Sequence, residues 1–335
     1  MTSRCVVMIG LSVALAACSQ MPAMRNPATS AAGVFRRPQI PAKTPPRASW
    51  VRRDVGRQPL LYITNANSVS IYSGLGSSAL TLVGEIFGFQ GPTGACTDAQ
   101  GNIFVSDGPA RVVDEFAYGS IVPENVMTDT LGEPYACAID TASGRIAVTN
   151  LTDASGNEPG NVLVYPSPTG TPVEYSNSTM NEPLFCAFDR RGNLIVDAYD
   201  TSFDPVMAEL RPTGKKIKTL AWSGLDSKKE YEPTGLEPSG AVTLWGDTFN
   251  VDIDQLKITG STSTLVATLP LSNIYSIGQF ITYGSGSSEV VIVPDYSGSR
   301  VQTYSYPQGT FLFSTTNGVS LPVAAVISHP QSGRF

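Results

Sequence analysis

Residues 92–107 read PTGACTDAQGNIFVSD. A short run of small and apolar residues leads into a turn of the form D-x-x-G, and a second apolar run follows. An Asp that opens such a turn accepts hydrogen bonds from the backbone two residues on, and Gly supplies a positive φ. The stretch therefore predicts two strands joined by a tight turn. The same pattern returns as CAIDTASGR at 137–145 and CAFDRRGN at 186–193. Weaker copies are GLEPSGA at 235–241, FITYGSG at 280–286 and VISHPQSGR at 326–334. The turn-opening residues are Asp98, Asp140, Asp189, Glu237, Tyr283 and His329, at spacings of 42, 49, 48, 46 and 46 residues. A period of that length is the size of one propeller blade.

Five of the turns are followed by a second strand: NIFVSD (102–107), RIAVTN (145–150), NLIVDA (193–198), AVTLWGD (241–247) and EVVIVPD (289–295). A sixth such strand, LLYITN at 60–65, has no turn before it, and the sixth turn has no complete strand after it. These two defects complement each other if the array closes into a ring. The expectation is an all-β, six-bladed β-propeller in which strands from the two ends of residues 59–335 share a blade. The pattern P-x-G-x-x-x-D-x-x-G-N-I-x-V-x-D, from Pro92 to Asp107, resembles the NHL-type repeat. It also resembles the surface-attached bacterial propellers with repeats of that kind.

Composition agrees with this. The 335 residues include 31 Gly and 25 Pro, and only 15% are charged, against an average near 25%. A coiled coil, a helical bundle or a disordered chain would want more charge or fewer turn formers.

The first twenty residues read as an address. Arg4 precedes an apolar run from Cys5 to Leu15, too short to span a bilayer as a lasting helix. Leu15-Ala16-Ala17-Cys18 resembles the bacterial lipobox, which implies removal of residues 1–17 as a signal peptide and lipidation, palmitate included, at Cys18. Ser19 after the Cys implies, by the same resemblance, an outer-membrane lipoprotein facing the periplasm or the cell surface, with the membrane as a partner through Cys18. Residues 18–58 read as a Pro-rich tether with eight basic residues and one acid, whereas residues 59–335 carry 13 basic and 27 acidic residues. An acidic disc repels phosphates, which argues against a nucleic-acid partner. The basic tether is either attracted to anionic headgroups or simply solvated.

Cys96, Cys137 and Cys186 fall on successive inner strands. Such strands are expected to lie too far apart for bonding, so all three read as small buried hydrophobes. The one His, His329, reads as a turn residue, and no Ser-His-Asp or Cys-His arrangement is placed. Lys215, Lys216, Lys218, Lys228 and Lys229 read as the solvated outer face of the fourth blade.

The acidic residues suggest more. EPY (133–135), EPL (182–184) and EPT (232–234) place Glu133, Glu182 and Glu232 at matched positions entering three inner strands. Second strands end on the same face at Asn65, Asp107, Asn150 and Asp295, with Asp197 and Asp200 near the fourth. The candidate ligand face is thus Glu133, Glu182, Glu232, Asp107, Asn150 and Asp200. Hard oxygen ligands at a channel mouth suit Ca²⁺, and gluconolactonase-like propellers hold a divalent ion in a similar way. Their Glu-Gly-Pro opening is missing here. Solvated loop residues and turn caps remain the alternative reading.

These features favour a monomeric, lipid-anchored envelope propeller that binds a protein, peptide or glycan without catalysis. The competing reading is a metal-dependent lactonase-like hydrolase built on Glu133, Glu182, Asp107 and Asn150.

Overall fold

The computed structural model describes residues 48–53, 55–226 and 230–330. The predicted signal peptide, Cys18, most of the expected tether, Lys228, Lys229 and the end of the sixth turn lie outside these residues. No helix among the described residues is long and apolar enough to cross a membrane.

Six antiparallel sheets are arranged in chain order as the blades of a propeller. Blade two comprises β5 (Pro92–Thr97), β6 (Ile103–Asp107), β7 (Val112–Phe116) and β8 (Pro123–Thr128). Blade three comprises β9 (Gly132–Ile139), β10 (Ile146–Asp153), β11 (Asn161–Tyr165) and β12 (Val173–Tyr175). Blade four comprises β13 (Glu182–Phe188), β14 (Leu194–Tyr199), β15 (Pro205–Leu210) and β16 (Lys218–Thr219). Blade five runs from inner β18 (Pro233–Ser239) through β19 (Val242–Asp247) and β20 (Asp252–Thr259) to β21 (Thr262–Pro270). The short β17 (Ala221–Ser223) adds to it in parallel. Blade six comprises β22 (Ile281–Tyr283), β23 (Val290–Asp295), β24 (Arg300–Ser305) and β25 (Phe311–Thr315).

Blade one closes the ring. Its inner strand is β26 (Ala324–Ser328), paired in register with β2 (Leu60–Thr64) from Thr64 opposite Ala324 to Leu60 opposite Ser328. β3 (Ser68–Ser73) and β4 (Thr81–Phe87) complete it, as the two terminal defects of the repeat predicted. Residues read as tether also join in. β1 (Trp50–Val51) pairs with β4, and the Trp50 indole donates to Glu85 at 3.2 Å. Ordered pairing therefore starts upstream of residue 59.

The second strands are buried on both faces, so they read as unbroken apolar runs rather than alternating ones. Successive side chains point to opposite neighbours. Ile103 and Val105 pack against Leu60 and Ile71 of blade one, while Phe104 between them packs against Val148 and Leu163 of blade three. Leu194 and Val196 face blade three, and Ile195 faces Trp245 of blade five. Six interblade clusters form in this way, each burying several side chains worth about 1.5–3 kcal/mol apiece.

The D-x-x-G turns form as read. The Asp98 carboxylate accepts from Gln100 N at 2.8 Å and Asn102 N at 2.7 Å, and Gly101 has φ +82°. Asp189 repeats this with the amides of Arg191 and Asn193. His329 is exposed, and its backbone lies against Gly101, where a Cβ would collide with its carbonyl.

The cysteine expectation is corrected. Cys96 of β5 and Cys137 of β9 form a disulfide, with their Cα atoms 5.6 Å apart. The reason lies two residues upstream. Gly94 has no side chain, and a Cβ there would sit 2.6 Å from the Cα of Ala136. Two inner strands that meet on Gly and Ala approach far more closely than strands lined by larger residues. Cys186 remains a buried free thiol, its pKa pushed upward by burial and the nearby Asp197.

Candidate functional site

The inner strands begin, and the second strands end, on one face of the disc. Pro92 stands opposite Asp107, Glu182 opposite Tyr199 and Pro233 opposite Asp247. Three of these inner strands carry a bulge just after their opening Pro, between Pro92 and Ala95, Pro183 and Cys186, and Pro233 and Leu236. A bulge withdraws backbone groups from the ladder and leaves them for other partners.

Residues at or near the ends of the second strands accept from backbone amides of this face, the bulged Phe185 among them. Asp107 accepts from the amides of Gln90 (2.7 Å) and Gly91 (3.1 Å). Asp197 accepts from Phe185 N at 2.6 Å, and Asp247 from Glu232 N at 2.9 Å. Asp295 accepts from Ser276 N at 3.1 Å, and Asn65 from Ser320 N at 3.0 Å. In four blades, then, a buried Asp or Asn latches the segment entering the inner strand of its own blade, and in blade four Asp197 holds the inner strand itself at its bulge. Asn150 is the exception: its amide donates to Asn161 at 2.8 Å, in the space that Gly132 leaves. Where the acceptor is an ionised Asp the bond is charge-assisted and strong, and the latches hold the loops of this face in place.

The structure divides the predicted acidic set. Asp107 and Asn150 serve as just described. Asp200 caps its own turn through the amides of Ser202 and Asp204. Glu133 is half-buried against Gly108 of the neighbouring blade. Glu182 and Glu232 differ: with Asp197, they come close enough to Tyr135 for their negative charge to act on its phenol. Burial, followed by those three carboxylates, raises the Tyr135 pKa well above its ordinary value. Among the described residues, no three His, Cys, Asp or Glu side chains are grouped so as to hold a metal ion.

This centre is aromatic and acidic. Tyr135 is 2% exposed, and its ring meets Phe185 edge-on at 5.2 Å. Its hydroxyl and the Thr234 hydroxyl are both buried with no hydrogen-bond partner among the described residues. Asp197 is fully buried, and desolvation lifts its carboxyl to about 7 despite the Phe185 amide and the Trp245 indole beside it. Half-buried Glu232 and Tyr296 are near enough to Tyr135 for their charge to act on it. On the opposite side of the ring, the Gln279 side chain donates to Ala95 O at 2.8 Å and accepts from Ala95 N at 3.2 Å. It thereby joins the sixth blade to the second across the innermost strand of the first.

Two exposed aromatics flank the centre on the same face. Phe249 follows β19 and is 55% exposed, and Tyr275 precedes β22 and is 70% exposed. Their loops are joined where the Thr248 hydroxyl donates to Ile277 O (3.0 Å) and accepts from Ile277 N (2.8 Å). The Arg300 guanidinium lies 5.1 Å from the Tyr275 ring centroid and is held at 2.9 Å by buried Asp295. Both rings are thus presented on braced loops.

Sequence reasoning passed over Tyr135, although it is the third residue of EPY (133–135). The third positions of EPL and EPT, Leu184 and Thr234, lie equally deep. Comparing the third positions of these three motifs would have pointed to the centre. Phe249 and Tyr275 carried no sequence signal, because blade packing uses many aromatics.

No family model matches the chain, and no curated protein sequence matches it. Solved structures do. A chain from the crystal structure of the nidogen/laminin complex superposes with a TM-score of 0.66 at 13% identity, covering 82% of this chain and 100% of that one. A protein of unknown function from Bacteroides caccae superposes with a TM-score of 0.59 at 11% identity, covering 81% and 99%. At such identities the likeness establishes the propeller fold.

Proposed function

We propose that the protein is a lipid-anchored propeller of the bacterial envelope that binds a protein or peptide on its latched face. The braced aromatic pair Phe249 and Tyr275 carries the reading. Rigid, exposed aromatic rings lose little entropy on binding and serve as interface anchors, and these two remain largely exposed, at 55% and 70%. Half-buried Glu232, whose carbonyl accepts from Thr248 N next to Phe249, favours a partner segment that offers a basic side chain next to an apolar one. The match to the nidogen/laminin complex supports a binding role for a fold of this kind. The lipobox-like Leu15-Ala16-Ala17-Cys18 supports the anchor, and the Pro-rich segment after it supports a tether long enough to let the disc reach a partner. A disulfide at Cys96–Cys137 suits an oxidising compartment outside the cytoplasm.

A photo-crosslinking residue placed at Phe249 or Tyr275 of the full chain, in cells, tests the binding face. The expected result is one discrete adduct from both positions and none from Val126, an exposed residue on the outermost strand β8 of blade two. Equal labelling at all three positions would overturn the proposal.

A further inference from the structure

A second site lies on the opposite side of the disc, where the D-x-x-G turns of blades four and five face each other. Two adjoining clefts open there, of about 580 and 620 Å³, sharing Glu209, Arg211 and Gly260. Each is within the usual range for ligand sites, roughly 300–1,000 Å³. Arg190, Arg191, Arg211 and Lys257 line the first. Lys215, Lys216 and Lys218 continue the same sign into the second. Seven of the 13 basic residues in positions 59–335 thus gather on one groove, in a region that carries 27 acids.

Asp189 and Glu209 are the two acids in the lining, so seven positive charges minus two leave a net +5. Asp189 spends its carboxylate on the turn, accepting from Arg191 N, Asn193 N and the Asn193 side chain. Glu209 pairs with Arg211 at 3.2 Å. Lys215, Lys216, Lys218, Lys257, Arg190 and Arg191 are exposed and make no ion pair with any described residue. Like charges held together without partners repel each other, and an anion that bridges them relieves that repulsion.

We infer that this groove binds a soluble ligand bearing two or more phosphate groups, spanning both clefts. Lysine ammonium groups act as point charges for phosphate oxygens, and Arg211 and Arg190 add forked donors. No aromatic side chain lines either cleft, so nothing is offered for base stacking, which a single-stranded nucleic acid would use. The surface is concave and split between two blades, which suits a compact ligand better than a flat bilayer.

Titration of the full chain with inorganic tripolyphosphate at 50 and 300 mM NaCl tests this. Binding is expected at the lower salt and should weaken at the higher. The variant K215Q/K216Q/K218Q/K257Q should lose at least tenfold in affinity, whereas R36Q/R37Q/R47Q in the tether should change it less than twofold. All four groove lysines are exposed, so an unchanged melting temperature is the folding control. No binding at 50 mM NaCl, or equal binding by the groove variant, overturns the inference. Groove-dependent binding to phosphatidic acid vesicles without tripolyphosphate binding overturns it in favour of a membrane headgroup.

Discussion

Breaking the Cys96–Cys137 disulfide should cost the propeller a large share of its stability. The bond closes a loop with a sequence separation of 41 residues. In the chain-entropy description, a loop of that length removes about 13 cal/mol/K from the unfolded ensemble, or about 4 kcal/mol at 25 °C. Native contacts change little on reduction, because β5 and β9 also pack through Gly94 and Ala136 and through the cluster of Phe104, Val148 and Leu163. The loss therefore comes almost wholly from the unfolded state. Urea denaturation of the full chain, oxidised and after reduction, should show the midpoint fall with an unchanged slope, corresponding to about 3–4 kcal/mol. C96A/C137A should lose at least as much, since truncating two buried side chains adds a packing cost. Thiol counting under denaturing conditions gives the independent check. If Cys96 and Cys137 label without reductant, or if reduction shifts the midpoint by less than about 1 kcal/mol, the loop-closure reasoning fails.

The remaining predictions concern the centre, the ring and the anchor. Asp197 keeps its proton in the folded chain up to about pH 7, whereas in the unfolded chain it ionises near its ordinary value of 3.8, so stability falls as pH rises through that window. At about 1.4 kcal/mol per pH unit this is at most about 4 kcal/mol, so the stability gap between Asp197→Asn and wild type should widen by that order from pH 4 to pH 8; parallel pH profiles would refute it. Gly94→Ala forces a methyl to 2.6 Å from Ala136 and should cost about 1–3 kcal/mol in chemical denaturation. Deleting residues 323–335 removes β26 and uncovers the β2 edge, so the truncated chain should lack cooperative unfolding in calorimetry. Cys18→Ser should move the protein from the membrane to the soluble fraction; unchanged fractionation would discard the anchor.

The blade count was legible because each repeat has to restate its own local chemistry. Asp98, Asp140 and Asp189 open turns through bonds to amides two residues away, so Asp and Gly recur at fixed offsets. Second strands packed between two neighbours need apolar residues at every position, which makes runs such as NIFVSD and NLIVDA visible. Even ring closure could be read, because a strand missing at one end and a strand left over at the other are local facts.

What the tertiary structure decided depends on distances between blades, which no local pattern encodes. Cys96 and Cys137 are 41 positions apart, and only the Gly94–Ala136 approach makes them bonding partners. The Glu-Pro motifs look equivalent in sequence. Yet Glu182 and Glu232 converge on Tyr135 with Asp197, while Glu133 lies against the next blade. Likewise, Lys215, Lys216 and Lys218 look like a solvated strand edge until Arg190 and Arg191 arrive from the blade-four turn and Lys257 from strand β20 of blade five. Strands and turns are set by neighbours along the chain. Sites are set by side chains meeting across blades, where burial and charge act through space.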